Sequence, residues 1–330
     1  MAKLLVCGAI NWDISCFVER LPLPGEEVTI KHITRVSGGT GGNVAVAAAR
    51  ILGAGEVALI GALGEDDIAR QQIAAFHAEG VITEGIHHIA GEESGQAYIL
   101  VDQKGQNVIA SHLGANARLG LEYLDKAELN QQLQECRGMV LTDPPLEVAE
   151  ELINLAKQRG VPVLWDPGIL ISPHREAMLS LAKEAEVLFL NETETSALLG
   201  TEGLNMSVRR LKELGFGNHT VLKLGAQGAV MLEPASGRVI EVPALPLKKL
   251  GLNVVSTVGC GDVFAGVFAA YHVMGSHVAQ SLIMASAAAG LNATRPETRG
   301  SPDRAILEAT EQRSRSLGFT VQEYKRSKNC

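Results

Sequence analysis

A chain of 330 residues with 46% hydrophobic and 20% charged side chains can bury a sizeable core, which excludes global disorder. Its formal net charge of −8, without a basic run, leaves no footprint for a phosphate backbone and excludes nucleic acid as an expected partner. Five scattered cysteines, Cys7, Cys16, Cys136, Cys260 and Cys330, form no C-x-x-C pair and read as reduced thiols.

The chain opens into an apolar run, Lys3 to Ile10, with no cleavable signal pattern. No apolar stretch reaches a membrane-spanning length, so the expectation is a soluble, cytoplasmic protein without membrane contact. Asn11 and Asp13 follow this first strand by one and three residues. An amide and a carboxylate there suit recognition of hydroxyl groups, or simply a turn or cap. Val28 to Val36 then alternates as a strand does, and it leads into Ser37-Gly38-Gly39-Thr40-Gly41-Gly42-Asn43 ahead of an Ala-rich helix, Val44–Leu52. Four glycines permit close approach of backbone, helix and ligand. Val44 stands where a dinucleotide fingerprint needs its last glycine, and no G-x-x-x-x-G-K-S/T occurs anywhere. A tight structural turn reads equally well at this point.

Further strands are predicted at Val57–Gly61, Met139–Thr142, Val161–Asp166, Val187–Leu190 and Val221–Leu224. Helices are predicted at Asp66–His77, Leu146–Gln158, Glu192–Leu199, Ser207–Leu214, Val263–Met274 and Ala279–Asn292. Continuous apolar strands alternating with helices predict a parallel sheet covered on both faces, with ligands beyond the strand C-terminal ends. Asp143, Asp166 and Asn191 fall at such ends. Ala97–Val101 and Val108–His112 read as a hairpin, forming with Val28–Val36 a small antiparallel patch able to act as a lid or to pair with a partner's patch. Asn191-Glu192-Thr193-Glu194 reads as a helix cap, or as a phosphate-side site with Mg²⁺ beside Glu194. Lys223-Leu224-Gly225-Ala226-Gln227-Gly228 reads as a strand and a glycine turn. The charged tail, Arg313 to Lys328, reads as a solvated helix and loose end.

The richest stretch is Ser256-Thr257-Val258-Gly259-Cys260-Gly261-Asp262, opening a three-turn apolar helix. Small residues at a helix start present unpaired N–H groups to an anion. A carboxylate beside such a site suits a base that takes a hydroxyl proton during phosphoryl transfer, or else an ordinary N-cap.

Taken together, these motifs resemble the ribokinase, or PfkB, family of carbohydrate kinases from the first strand to about Arg295. Gly38-Gly39 with Asn43, and Thr257 to Asp262, are similar to its two signatures. Asn191 to Glu194 is similar to its Asn-x-x-Glu motif, and Gly225 to Gly228 to its nucleotide-side glycines. Gly95-Gln96-Ala97, Gly105-Gln106-Asn107 and Gly114-Ala115-Asn116 bring the likeness nearest to the ribokinases.

The resemblance implies one ribokinase-like three-layer α/β/α domain over residues 1–330. It has a mostly parallel central sheet and a small β-sheet lid from segments near 12–36 and 95–113. It also implies Asp262 as catalytic base and an anion hole from Gly259, Cys260 and Gly261. Sugar-binding positions would be Asn11, Asp13, Gly39, Asn43 and Asp143, the last standing where ribokinases tend to have Glu. Asn191, Lys223, Gly225, Gly228 and Ser286 match the nucleotide side, and Glu194 the Mg²⁺ side, through water. The implied reaction is transfer of the γ-phosphoryl group of MgATP to a sugar, ribose first, giving ribose 5-phosphate. A nucleoside kinase, or a ketohexose or 2-keto-3-deoxygluconate kinase, is the rival reading, and a sugar-binding regulator without catalysis the remote one. Thr40 replaces a common Lys, which removes a positive charge from the first signature. Ser256 replaces an Asp that helps bind a monovalent cation, which counts against activation by K⁺. A homodimer through the lid is implied by the family alone.

Overall fold

The computed structural model describes residues 2–168 and 171–325; Cys330 and the last residues of the charged tail lie outside them. A ten-stranded sheet runs in the order β14 (Gln322–Lys325), β13 (Arg238–Val242), β12 (Ala229–Glu233), β11 (His219–Lys223), β10 (Val187–Asn191), β9 (Val163–Asp166), β8 (Gly138–Thr142), β1 (Leu4–Gly8), β4 (Val57–Leu63) and β5 (Ile86–His88). From β11 to β5 every pairing is parallel, and β12 to β14 extend the edge antiparallel.

Side chains along each strand alternate between two cores. Leu4, Val6, Val140, Leu164 and Phe189 face one helical layer, while Leu5, Cys7, Leu141, Trp165 and Leu190 face the other. The first layer holds α1 (Thr40–Leu52), α2 (Asp67–Ala78), α8 (Cys260–Val273), α9 (Val278–Asn292) and α10 (Arg304–Arg315). The second holds α3 (Lys126–Glu135), α4 (Leu146–Arg159), α5 (Ile171–Ala182, kinked at His174), α6 (Glu192–Leu199) and α7 (Leu204–Glu213). This is the three-layer α/β/α architecture. Helix α8 is apolar almost all round because it lies between α1 and α9 and over the sheet, with Phe268 edge-on to Phe189 at 5.3 Å. It is therefore a rigid mount for whatever stands at its N-terminus.

A second sheet runs β3 (His32–Gly38), β2 (Asn11–Phe17), β6 (Gly95–Val101) and β7 (Asn107–His112). It differs from the antiparallel patch expected. Its two antiparallel pairs, β2–β3 and β6–β7, are joined by a parallel pair, β2–β6. Parallel neighbours need a long crossover, and the chain supplies one through α1, β4, α2 and β5 between them. The tail differs too: after α10 the chain adds β14 to the sheet edge. Among the described residues no helix is long and apolar enough to cross a membrane.

Candidate active site

Five adjacent parallel strands, β11, β10, β9, β8 and β1, deliver polar residues to one edge of the sheet: Lys223, Asn191, Asp166, Asp143 and Asn11 stand at or just past their C-terminal ends. Two cavities open along this edge. The first, about 670 Å³, is lined by Asn191, Lys223, Gly225, Gly228 and Ser286 with Cys260 and Gly261. The second, about 570 Å³, is lined by Asn11, Asp13, Gly39, Asn43 and Asp143 with Asp262. The start of α8 is thus the wall between them, with Cys260 and Gly261 on one side and Asp262 on the other.

That wall has a strict steric origin. Gly259 caps α8 at φ 77, and a Cβ there would lie 2.2 Å from the Thr298 carbonyl oxygen. The helix ladder begins with Val263 N–H donating to Gly259 O at 3.0 Å, while Cys260 N–H donates to Thr257 O at 3.3 Å. The N–H groups of Gly261 and Asp262, next in the first turn, have no intrahelical partner by position.

Asp262 is half-buried and lines the second cavity. The Asn43 amide donates to its Oδ2 at 2.8 Å. Burial pushes its carboxyl up to about 7; the Asn43 hydrogen bond pulls it down, and Asp166 and Asp13 add to the rise against Lys223. Asp13, 4% exposed on β2, is pushed up to about 6 by burial against a hydrogen bond to Thr298 and the Arg299 charge. Gly38 makes room for it, since a Cβ there would fall 2.0 Å from Asp13 Oδ2. Asn11 is held from both ends: its Oδ1 accepts from Asn116 Nδ2 at 2.9 Å and its carbonyl from Gln72 Nε2 at 2.6 Å. Asp143 adopts φ 53, alone in positive φ among the described non-glycine residues, which turns the chain after β8 at the cavity rim.

On the other side, Lys223 Nζ meets Asp166 Oδ2 at 2.5 Å, a nearly buried pair. Burial alone would lower the Lys223 ammonium, but Asp166 and Glu194 hold it above its ordinary range. Glu194 is raised by burial and by Asp166. Asn191 and Glu194 form a reciprocal capping box: Asn191 Oδ1 accepts from Glu194 N, and Glu194 Oε2 accepts from Asn191 N, both at 2.8 Å. The Ser286 hydroxyl donates to Pro243 O at 2.7 Å.

The residues singled out from the sequence gather at this edge in two groups, Asn191, Lys223, Gly225, Gly228, Ser286, Cys260 and Gly261 at the first cavity and Asn11, Asp13, Gly39, Asn43, Asp143 and Asp262 at the second, while Gly259 and Glu194 line neither. Asn116, singled out from the sequence only as part of a motif, lines the second cavity too. Sequence reasoning missed three others. Ser111 and His174 line the second cavity. Arg299, behind it, donates to Asn43 Oδ1 at 3.1 Å and to Gly38 O at 2.8 Å. Thr40 lines the cavity as well, its hydroxyl buried without a hydrogen-bond partner.

Residues 1–304 match the sequence pattern of the pfkB family carbohydrate kinases. The chain belongs to that family. It is a carbohydrate kinase, a phosphotransferase with an alcohol group as acceptor. An ATP-dependent ribose-1-phosphate kinase of Halopiger xanaduensis is 30% identical over 309 residues, 92% of this chain and 95% of that relative. A ribokinase of Haemophilus influenzae is 30% identical over 302 residues, 90% and 94% of the two chains. Among solved structures, a ribokinase of Arabidopsis thaliana complexed with ribose and ATP has a TM-score of 0.82 at 28% identity, covering 94% of this kinase and 99% of that chain.

Magnesium would accompany a nucleotide in such a kinase, and Glu194 is the side chain here that would meet it. Among the described residues no three His, Cys, Asp or Glu side chains are grouped to bind a metal ion. Both Glu194 oxygens already accept from Asn191, at 2.7 and 2.8 Å. These residues fit a cation that arrives on phosphate oxygens and meets Glu194 through water.

Proposed function

We propose that this kinase transfers the γ-phosphoryl group of MgATP to D-ribose, giving ribose 5-phosphate. The observation that carries the reading is the shared wall: Cys260 and Gly261 line one cavity and Asp262 the other, so a single turn can touch both substrates. ATP occupies the cavity of Asn191, Lys223, Gly225, Gly228 and Ser286. The sugar occupies that of Asn11, Asp13, Gly39, Asn43 and Asp143. Asp262 accepts the proton of the attacking hydroxyl as that oxygen bonds to the γ-phosphorus and ADP leaves. The N–H groups of Gly261 and Asp262 receive the charge that builds on the phosphoryl oxygens, whereas that of Cys260 donates to Thr257 O. Glu194 would hold magnesium through water, and the ion would supply charge that offsets that of the phosphates.

The acceptor cavity favours a neutral sugar over a sugar phosphate. Asp13, Asp143 and Asp262 line it, no Lys or Arg does among the described residues, and Thr40, which stands where the family resemblance would put a Lys, lines it as well. An anion placed against three carboxylates is repelled. This separates the ribokinase reading from that of the Halopiger relative, which is named for ribose 1-phosphate. The small sheet roofs the same cavity through Ala97, Ile99, Ile109 and Ser111 and acts as its lid. Its outward Tyr98 and Val108, 42% and 54% exposed, are the surface for a second copy of the chain.

The test is ADP release from MgATP with ribose, ribose 1-phosphate, 2-deoxyribose, fructose, 2-keto-3-deoxygluconate, adenosine, cytidine and guanosine, with Asp262→Asn alongside. Ribose should give the largest kcat/KM, lost by at least about 10³-fold in the variant. A larger signal with ribose 1-phosphate or a nucleoside would replace the acceptor and keep the base. Turnover surviving in Asp262→Asn would remove the base.

A further inference from the structure

We propose that Arg299 is a positioning residue, fixing the Asn43 amide and through it the Asp262 carboxylate. The inference rests on Asp262 acting as the base. Arg299 lines neither cavity. It reaches the reacting groups only through other residues, and the direction of each bond is dictated by its chemistry.

A guanidinium donates and cannot accept. The atom of Asn43 that faces Arg299 Nε, at 3.1 Å, is therefore the amide oxygen. The amide NH₂ is then obliged to face Asp262 Oδ2, at 2.8 Å. Flipped, the amide would set its oxygen against the carboxylate, a repulsion that grows as Asp262 ionises. Arg299 removes that alternative. The carboxylate is thus held by one oxygen, and its other oxygen is left to take the hydroxyl proton.

The guanidinium is itself held on several sides. It donates to Gly38 O at 2.8 Å, where β3 runs into α1, and meets Gln72 Oε1 at 3.4 Å. It lies over the Phe76 ring at 4.6 Å from the centroid. Its own carbonyl accepts from Arg50 at 2.8 Å, and Arg50 is paired with Glu79. The same Gln72 holds the Asn11 carbonyl at 2.6 Å. One planar cation therefore ties the ends of both lid strands that bear on the sugar, β2 and β3, to the group that orients the base. Lysine, a point charge on a flexible stem, could supply the charge without the two directed bonds.

The measurement is kcat and acceptor KM from pH 5 to 9, with thermal melting, for the parent chain, Arg299→Met, Arg299→Lys and Asp262→Asn. The groups facing Asp262 are Asp13 from β2, Asp166 from β9, Lys223 from β11, the Cys260 thiol of its own helix and, after α9, Arg299. Only the last changes in the first two variants. Arg299→Met should lose about 10²-fold in kcat, change acceptor KM less than about threefold, and move the acid limb of kcat to higher pH, because a cation that favoured the carboxylate is gone. Arg299→Lys should return the limb towards its original pH while remaining at least about tenfold low in kcat. Should Arg299→Met fail to fold, the lysine variant decides alone: parental kcat in it overturns the inference. So does an unmoved limb in a folded Arg299→Met, or a loss confined to KM. If Asp262→Asn keeps its turnover, the base itself is wrong. If it is inactive while both Arg299 variants turn over normally, only the positioning inference fails.

Discussion

As the proposed base, Asp262 would have to be ionised to take a proton, and its surroundings resist ionisation. Burial raises it to about 7 from an ordinary 3.8, with Asn43 and Lys223 opposing. Turnover should therefore fall as pH drops through about 7, checked by kcat against pH with saturating acceptor. Stability runs the other way. Between about pH 4 and 7 the folded chain holds a proton that the unfolded chain has released, so this group's contribution declines as pH rises across that window. Asp262→Asn carries no such penalty. It should melt above the parent at pH 8, by about 1–3 kcal/mol, and level with it near pH 4. A parent that outlasts the variant at pH 8 would show that the carboxylate is better solvated than its enclosure implies. Asp13, raised to about 6, carries a smaller penalty of the same sign.

The elements that carry the site are those whose local pattern and tertiary role agree. Val187–Asn191 and Val57–Leu63 are continuous apolar runs because both faces of the sheet are covered, and they read as strands without ambiguity. The first turn of α8 left an anion site with a base and an ordinary N-cap both open; in the fold it stands between the two cavities. The Asn191 motif left cap and phosphate site both open; its capping box is present, and its side chain also lines the larger cavity. What escaped notice depends on long-range pairing. Strand β14 reads Gln-Glu-Tyr-Lys, exposed throughout, and is a strand only because β13 offers it an edge. The parallel β2–β6 pair joins segments some eighty residues apart, which no local periodicity reports. Arg299 sits in a polar, proline-containing segment, where an arginine reads as solvated. Its partners Gly38, Asn43 and Gln72 lie more than 200 residues earlier in the chain.

At the scale of the whole molecule, one sheet carries both cavities along a single edge, and the small sheet covers only the second of them. If the outer face of that small sheet is where two copies meet, Tyr98→Glu with Val108→Glu should convert a dimer into monomers, read as mass in solution by light scattering. A parent chain that is monomeric at tens of micromolar would dismiss the interface. The larger cavity has a different character. Ala244, Leu245, Pro246, Leu247, Val254 and Phe264 form much of its wall, and the Ser286 hydroxyl is already committed to the Pro243 carbonyl. A wall of this kind grips the flat face of a heterocycle and reads little of its rim, where adenine and guanine differ. Discrimination between bases needs buried polar partners that the wrong base leaves unsatisfied. The kinase should therefore tolerate its donor: GTP and ITP should support turnover with kcat/KM within about tenfold of ATP, measured by competition in one vessel. A preference of a thousandfold would mean that a backbone group along residues 244–254 reads the rim after all. With tolerance, the flux through this step follows the total pool of purine triphosphates, and a cell short of ATP alone would still phosphorylate its sugar.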